Sequence, residues 1–292
     1  MYELIPLSEN DFYIDCPAKV GLCKIGETDV AAIDSGSDKD AGKKVLRHVE
    51  ANGWRLSAIY VTHSHADHIG GCRFLQDRTG CKVYAAGLEA AFTEHPVLEP
   101  MTLYGGNPFA DLRHKFLLAQ ACRVEPLSPE TLPKGWEILP LPGHSFEMVG
   151  FRTSVGNLFL ADCVSSTETL QKYGIGYLWD VEKSLETLET VKTWKAPAFI
   201  PAHAPVTDSI QELCDGNINA IKDACGAVLC ILEGPKAFDD LLAEVFAHYG
   251  LAMNAQQFVL IGSTVRSILS YLLAKEQIRF FFEENKMFWQ AT

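Results

Sequence analysis

The segment that most constrains the fold is LSAIYVTHSHADHIGG, residues 56–71. Its first half is an apolar run of strand length that reads as a buried strand, ending at His63. Three of the nine histidines then fall within residues 63–68, with Asp67 wedged before His68. Ile69 to Thr79 reads as the following helix, and Gly70 and Gly71 would let its backbone approach a neighbour closely. A buried strand running through a polar turn into a helix demands a sheet covered by helices. It also puts the turn's side chains at the end of that sheet, where a rigid scaffold can position a site.

The flanking pattern extends this picture. YELIPLSENDFYID, AKVGLCKIG and DVAAIDSG read as short strands, and a helix is expected over about 38–52 from the spacing of Ala41, Val45, Leu46 and Val49. KVYAAG, WEILPLPGHS, MVGFRT, NLFLAD and AFIPAHAPV supply further strands, and DVEKSLETLETVKTW an amphipathic helix. Between Glu94 and Pro129 the periodicity is lost, apart from a helical piece around Leu112 to Ala119; a long irregular insertion of this kind reads as a functional loop or as a packed surface excursion. Beyond Thr207 the chain turns helical and closes on IRFFFEENKMFWQAT, read as a hairpin. Helices followed by a hairpin give the outline of a winged-helix module. Two domains are therefore expected, 1–206 and 207–292.

Composition narrows the function. The nine cysteines include no CxxC pair, so neither a zinc ribbon nor a disulfide framework is suggested, and they read as small buried residues of a reducing cytoplasm. The N-terminus lacks the basic and apolar regions of a signal peptide, and no apolar run of membrane-span length is read. A net charge of −12 disfavours a general binder of phosphate backbones. From Pro205 onward there are 11 acidic against 6 basic residues, net −5, where a nucleic-acid-binding wing would be basic.

Other polar residues end apolar runs in the same way: His144 in LPLPGHS, Asp162 in NLFLAD and His203 in FIPAH. Together they make a rim of potential ligands along one sheet edge. In THSHADH (62–68), PGHS (142–145), LADC (160–163), PAH (201–203) and AIDSG (32–36), taken in order, the chain resembles the metallo-β-lactamase superfamily, with glyoxalase II close in motif content. The resemblance covers about residues 1–205. It implies an α/β fold, an αββα sandwich, with a small, mainly helical C-terminal domain added. It also implies a dinuclear metal site: His63, His65 and His144 on one ion, Asp67, His68 and His203 on the other, Asp162 bridging, and Asp34 orienting the histidine loop without binding metal. An all nitrogen-and-oxygen donor set suits zinc and tolerates iron or manganese. Cys163 follows Asp162, but LFLAD aligns on the aspartate, which disfavours lactam hydrolysis.

The reaction implied is attack by a bridging hydroxide on an ester, thioester or lactone, with Asp67 as the catalytic carboxylate. Tyr104, Arg113 and Lys115 in the insertion, and Tyr173 and Tyr177 after Asp162, are the candidate substrate contacts and suggest a small anionic, partly apolar substrate. The alternatives are a phosphodiesterase or ribonuclease of the same superfamily and, behind it, an iron-dependent sulfur dioxygenase. The partners expected are that small molecule and, at most, a second copy in a homodimer, with no nucleic acid and no membrane, in the cytoplasm.

Overall fold

The computed structural model describes residues 2–292. Seven strands form the first sheet in sequence order: β1 (Glu3–Pro6), β2 (Asp11–Asp15), β3 (Val20–Lys24), β4 (Asp29–Ile33), β5 (Arg55–Tyr60), β6 (Lys82–Ala85) and β7 (Glu125–Pro126). β1 to β4 pair antiparallel, and β4 to β7 pair parallel through helical crossovers. The crossovers are α1 (Lys39–Ala51), then α2 (Ala66–Ile69) with α3 (Cys72–Thr79), then α4 (Gly87–Glu94) with α5 (Leu98–Tyr104). Asp38 caps α1 by accepting from the Ala41 amide at 2.9 Å. The apolar stripe of α1 that includes Val45 and Val49 packs with α3 on the outer face of this sheet, over Val30, Ala32 and Ile59.

The second sheet has the order β11-β10-β9-β8, built from β8 (Glu137–Pro140), β9 (Val149–Arg152), β10 (Leu158–Ser165) and β11 (Phe199–His203). The inner faces of the two sheets share one cluster, in which Tyr60, Tyr84, Trp136 and Phe151 pack aromatic rings together. α6 (Thr167–Tyr173) and α7 (Val181–Val191) follow β10, and α7 covers the outer face of the second sheet. Helix, sheet, sheet, helix is the layering expected.

After β11 come α8 (Gln211–Ile231), β12 (Lys236–Ala237), α9 (Phe238–His248), α10 (Ala255–Ala274) and the hairpin β13 (Ile278–Glu283) and β14 (Lys286–Ala291). β12 adds to the hairpin on β14, which completes the winged-helix order of helix, strand, two helices and wing. α10 is long and apolar enough to cross a membrane by length and composition, which corrects the reading that no run reaches that length. Val265, Ile268, Leu269 and Leu272 put that hydropathy into a packed core instead. This core also holds Leu160 and Phe199 of the second sheet, so apolar packing runs across residue 206.

Two local expectations are corrected. In place of one helix from Ile69 to Thr79, α2 carries Asp67 and His68 and α3 starts only at Cys72, with Gly70 and Gly71 between them where a Cβ would lie 2.3 Å from the Ser37 carbonyl and 2.4 Å from the Ser35 oxygen. In the insertion the α-helix is α5, whereas Leu112 ends a single 3-10 turn, Ala110–Leu112, and Leu117 lies in a turn beyond it; both side chains pack with Leu103 and Val259.

Candidate metal centre

Four segments converge at one edge of the sandwich: the turn after β5, the turn between β8 and β9, the bend within β10 at Ala161 and the end of β11. They bring together His63, His65, Asp67, His68, His144, Asp162 and His203. His65 Nδ1 lies 3.1 Å from His63 Nε2 and 3.0 Å from His144 Nε2. Asp67, His68 and His203 form a second group, with His203 Nε2 3.2 Å from Asp67 Oδ2. Asp162 stands between the two: Oδ1 is 3.0 Å from His68 Nε2, while Oδ2 is 3.2 Å from His203 Nε2 and 3.5 Å from His144 Nε2.

The backbone is bent to make this possible. Asp162 does not end its strand, since β10 runs on to Ser165. Instead Ala161 adopts a left-handed φ of 48°, the register against β11 shifts on either side of it, and the irregularity aims Asp162 at the histidines. At His144 the preceding Gly143 has φ 127°, and a Cβ there would meet the Ser184 amide at 2.4 Å. Only glycine fits that turn.

Hydrogen bonds behind the cluster fix which ring nitrogens face inward. Asp34, buried and itself at φ 61°, accepts from the Thr62 amide and hydroxyl, both at 2.8 Å. Its Oδ2 is also 2.7 Å from His68 Nδ1, which makes Nδ1 the protonated nitrogen and leaves the Nε2 lone pair inward. The Thr62 hydroxyl, having given its proton to Asp34, accepts from His63 Nδ1 at 3.1 Å, so His63 Nε2 also points inward as a lone pair.

The electrostatics divide along the same line. Burial pushes His65 and His144 down to about 4 and lowers His63 further still, which keeps three neutral imidazoles side by side. Burial opposes charge on the other side too, but Asp162 and Asp67 outweigh it there: His68 is raised and His203 is pushed up to about 10. Both carboxyls are held below the usual range by those histidines against the cost of burial.

These donors fit a pair of cations. His68 Nε2 and Asp162 Oδ1, 3.0 Å apart, are buried without a hydrogen-bond partner among the described residues; the carboxylates alone hold His68 protonated, and a cation between the two atoms would take the place of that proton. Three imidazole nitrogens turned toward one another pose the same problem on the other side. A cation at each focus satisfies both groups with nitrogen and oxygen donors only.

One residue of the site gave no sequence signal. Glu89 on α4 is fully buried. Its Oε2 accepts from the Ser64 amide at 2.8 Å and hydroxyl at 2.6 Å, and its Oε1 from the Ser145 hydroxyl at 2.6 Å and the Glu147 amide at 3.0 Å. One carboxylate therefore ties the His63–His65 turn to the His144 turn. In GLEAAFTE it looks like any helix glutamate, and only the two serines next to histidines could have hinted at a shared acceptor.

The candidate substrate contacts separate into two groups. Tyr173 and Tyr177 line a cavity of about 390 Å³ that opens beside the cluster along with His65, Asp67, Asp162 and His203. The Tyr177 ring lies edge-on to His65 and His144, at 5.1 and 5.6 Å between centroids. Tyr104, Arg113 and Lys115 lie elsewhere. Tyr104 packs on Phe109, Arg113 donates to Asn107 and the Pro108 carbonyl, and Lys115 pairs with Asp38 at 2.8 Å. In their place the cavity takes Phe116 and Leu117 from the insertion, Glu99 from α5, and Gln256, Gln257 and Leu260 from α10.

Comparison with known proteins agrees with the geometry. A family profile described as the metallo-beta-lactamase superfamily matches residues 15–203. A hydroxyacylglutathione hydrolase of Shewanella denitrificans is 24% identical over 185 residues, covering 62% of this chain and 58% of that protein. One from Bradyrhizobium is 51% identical over 39 residues, 13% of this chain and 15% of that protein. The chain thus spans less than two thirds of the length of these curated relatives. Among solved structures, a metallo-beta-lactamase family protein from Thermus thermophilus superposes with a TM-score of 0.73 at 16% identity, covering 98% of this chain and all of that one. A beta-lactamase domain protein from Burkholderia ambifaria gives 0.72 at 15% identity over 99% of this chain and 94% of that one. At such identities the likeness is one of fold, and it extends through the C-terminal helices.

Proposed function

The chain belongs to the metallo-beta-lactamase superfamily, and from that premise we propose that it is a dinuclear metal hydrolase, zinc-dependent, acting on a small ester, thioester or lactone. The observation that carries the reading is the pair of neighbouring donor triads with Asp162 between them, its Oδ1 3.0 Å from His68 Nε2 and its Oδ2 3.2 Å from His203 Nε2 and 3.5 Å from His144 Nε2. His63, His65 and His144 would hold one ion, Asp67, His68 and His203 the other, and Asp162 both. When bound, two such ions lower the pKa of a shared water toward neutrality and polarise a substrate's carbonyl oxygen.

The chain's own groups supply the rest. Asp34 presents His68 in one tautomer, and Glu89 holds the two histidine turns in register. The Asp67 carboxylate, at the mouth of the cavity, is placed to orient the attacking water and to take its proton. Tyr177 covers His65 and His144 and keeps bulk water off that side. A thiolate leaving group, with a free pKa near ~8.5, departs without an acid, which favours thioesters over alkyl esters. The phosphodiesterase reading draws on the C-terminal winged-helix order, but among the described residues no lysine or arginine lines the cavity to meet a phosphate backbone.

Metal analysis of protein purified without added metal, with turnover of thioester, lactone and phosphodiester panels, tests this. Two equivalents of zinc and thioester or lactone turnover are expected, with His65→Ala losing hydrolysis and about one equivalent of metal. Full activity and unchanged metal content in that variant would overturn the ligand assignment.

A further inference from the structure

Resting on the hydrolase reading, we propose that the cavity beside the cluster selects an acyl group with an uncharged carbonyl along its chain, and that Glu99 is the specificity-determining residue that hydrogen-bonds to that carbonyl.

The setting of Glu99 carries the first half. It lies in the first turn of α5, and Leu103, one turn on, packs with Val259 of α10, so the two residues share the inward face of the helix. Glu99 is 9% exposed and lines the cavity. Among the described residues its carboxyl makes no hydrogen bond, yet, unlike Asp162 Oδ1, neither of its oxygens is sealed from solvent. The walls around it are mainly apolar, with Phe116, Leu117 and Leu260 on the same cavity, and no lysine or arginine lines it. An ionised carboxyl finds no counter-charge in those walls, and burial, reinforced by Asp67 and Glu89, pushes the group well up. Glu99 therefore stands as a neutral acid, with one O–H to donate and one carbonyl oxygen to accept.

The second half follows from what fills the cavity. In the free protein, water in a space of about 390 Å³ can satisfy the acid. A substrate chain displaces that water. A methylene placed there leaves the O–H dry and unpaired, which weakens binding, whereas a carbonyl oxygen takes the hydrogen bond over. The unmet atom is a donor, so the group that matches it is an acceptor. Packing alone would be served by methionine, which has a similar length and no acid to desolvate. Glu99 thus contributes discrimination and no stability.

The test uses S-ethyl thioesters of heptanoic acid and of its oxo derivatives with a ketone at each of the three carbons preceding the terminal methyl. Metal-loaded wild type, Glu99→Gln and Glu99→Met are compared by kcat/KM. Calorimetry of analogues with CH2 in place of the thioester sulfur runs in parallel, and thermal unfolding checks that each protein folds. In wild type the best oxo compound is expected to lead the heptanoyl compound by at least about tenfold in both measurements. Glu99→Gln keeps an N–H donor and should keep the lead. Glu99→Met should abolish it, mainly by using the heptanoyl compound better, at a Tm no lower than that of wild type. No lead for any oxo compound in wild type, a lead that survives in Glu99→Met or vanishes in Glu99→Gln, or a lowered Tm in Glu99→Met overturns this inference and leaves the hydrolase standing. Absence of turnover with the binding preference intact, and lost in Glu99→Met, overturns the hydrolase reading and leaves the role of Glu99 standing. Failure of every analogue to bind overturns the cavity assignment.

Discussion

Replacing Glu89 by glutamine changes one atom and should loosen the metal centre from behind. The carboxylate accepts four hydrogen bonds of 2.6–3.0 Å in a fully buried position. Glutamine keeps one acceptor oxygen and turns the other into an NH2. If the amide nitrogen faces Ser64, the hydroxyl there can rotate to accept from it, but the Ser64 amide cannot and is left buried without an acceptor. If it faces Ser145, the Glu147 amide suffers the same fate. An orphaned buried donor costs roughly 1–3 kcal/mol, and the remaining bonds lose their charge assistance, so the total is about 2–4 kcal/mol. For a chain of this length that is a fall in Tm of roughly 4–8 °C. The orphaned amide is either Ser64's, between His63 and His65, or Glu147's, three residues from His144, so metal affinity should also drop, by about 10–100-fold. Thermal unfolding and chelator competition on wild type and variant measure the two effects. A variant within about 0.5 kcal/mol of wild type, with unchanged metal affinity, would refute the tie between the turns.

Asp34→Asn removes the charge whose Oδ2, 2.7 Å from His68 Nδ1, holds the proton on that nitrogen, and is expected to weaken metal binding by about 10–100-fold while the fold persists; chelator competition with circular dichroism separates the two. Gly70→Ala places a Cβ 2.3 Å from the Ser37 carbonyl, which α2 can relieve only by moving. A loss of about 1–3 kcal/mol in denaturant unfolding is expected, together with reduced metal content, because Asp67 and His68 ride on that helix.

The seven clustered residues were legible because each ends or closely follows an apolar run, and strand ends in a layered sheet must fall along one edge. The order of layers followed from the same runs. Residues whose role depends on direction were not legible. Arg113 and Lys115 lie in the right insertion, but Asn107 and Asp38 engage them, and no periodicity reports where an irregular loop points. α5 was hidden by Pro100, which reads as a breaker although a proline in the first turn of a helix costs no hydrogen bond. Leu112 to Ala119 carries apolar residues at helical density, yet spends them in turns against α10. Glu89 is the sharpest case, because a lone glutamate becomes a structural centre only once two serines far apart in sequence meet it.

α10 has a consequence for how such a chain can change. Every residue turned toward the two metal foci precedes Ala204, whereas one wall of the cavity is written between Gln256 and Thr264. Selection and reaction are thus recorded on separate stretches of sequence that meet only in space. Gln256, Gln257 or Leu260 can be exchanged without touching a donor atom, so the cavity can be reshaped by steps that leave the donor set whole.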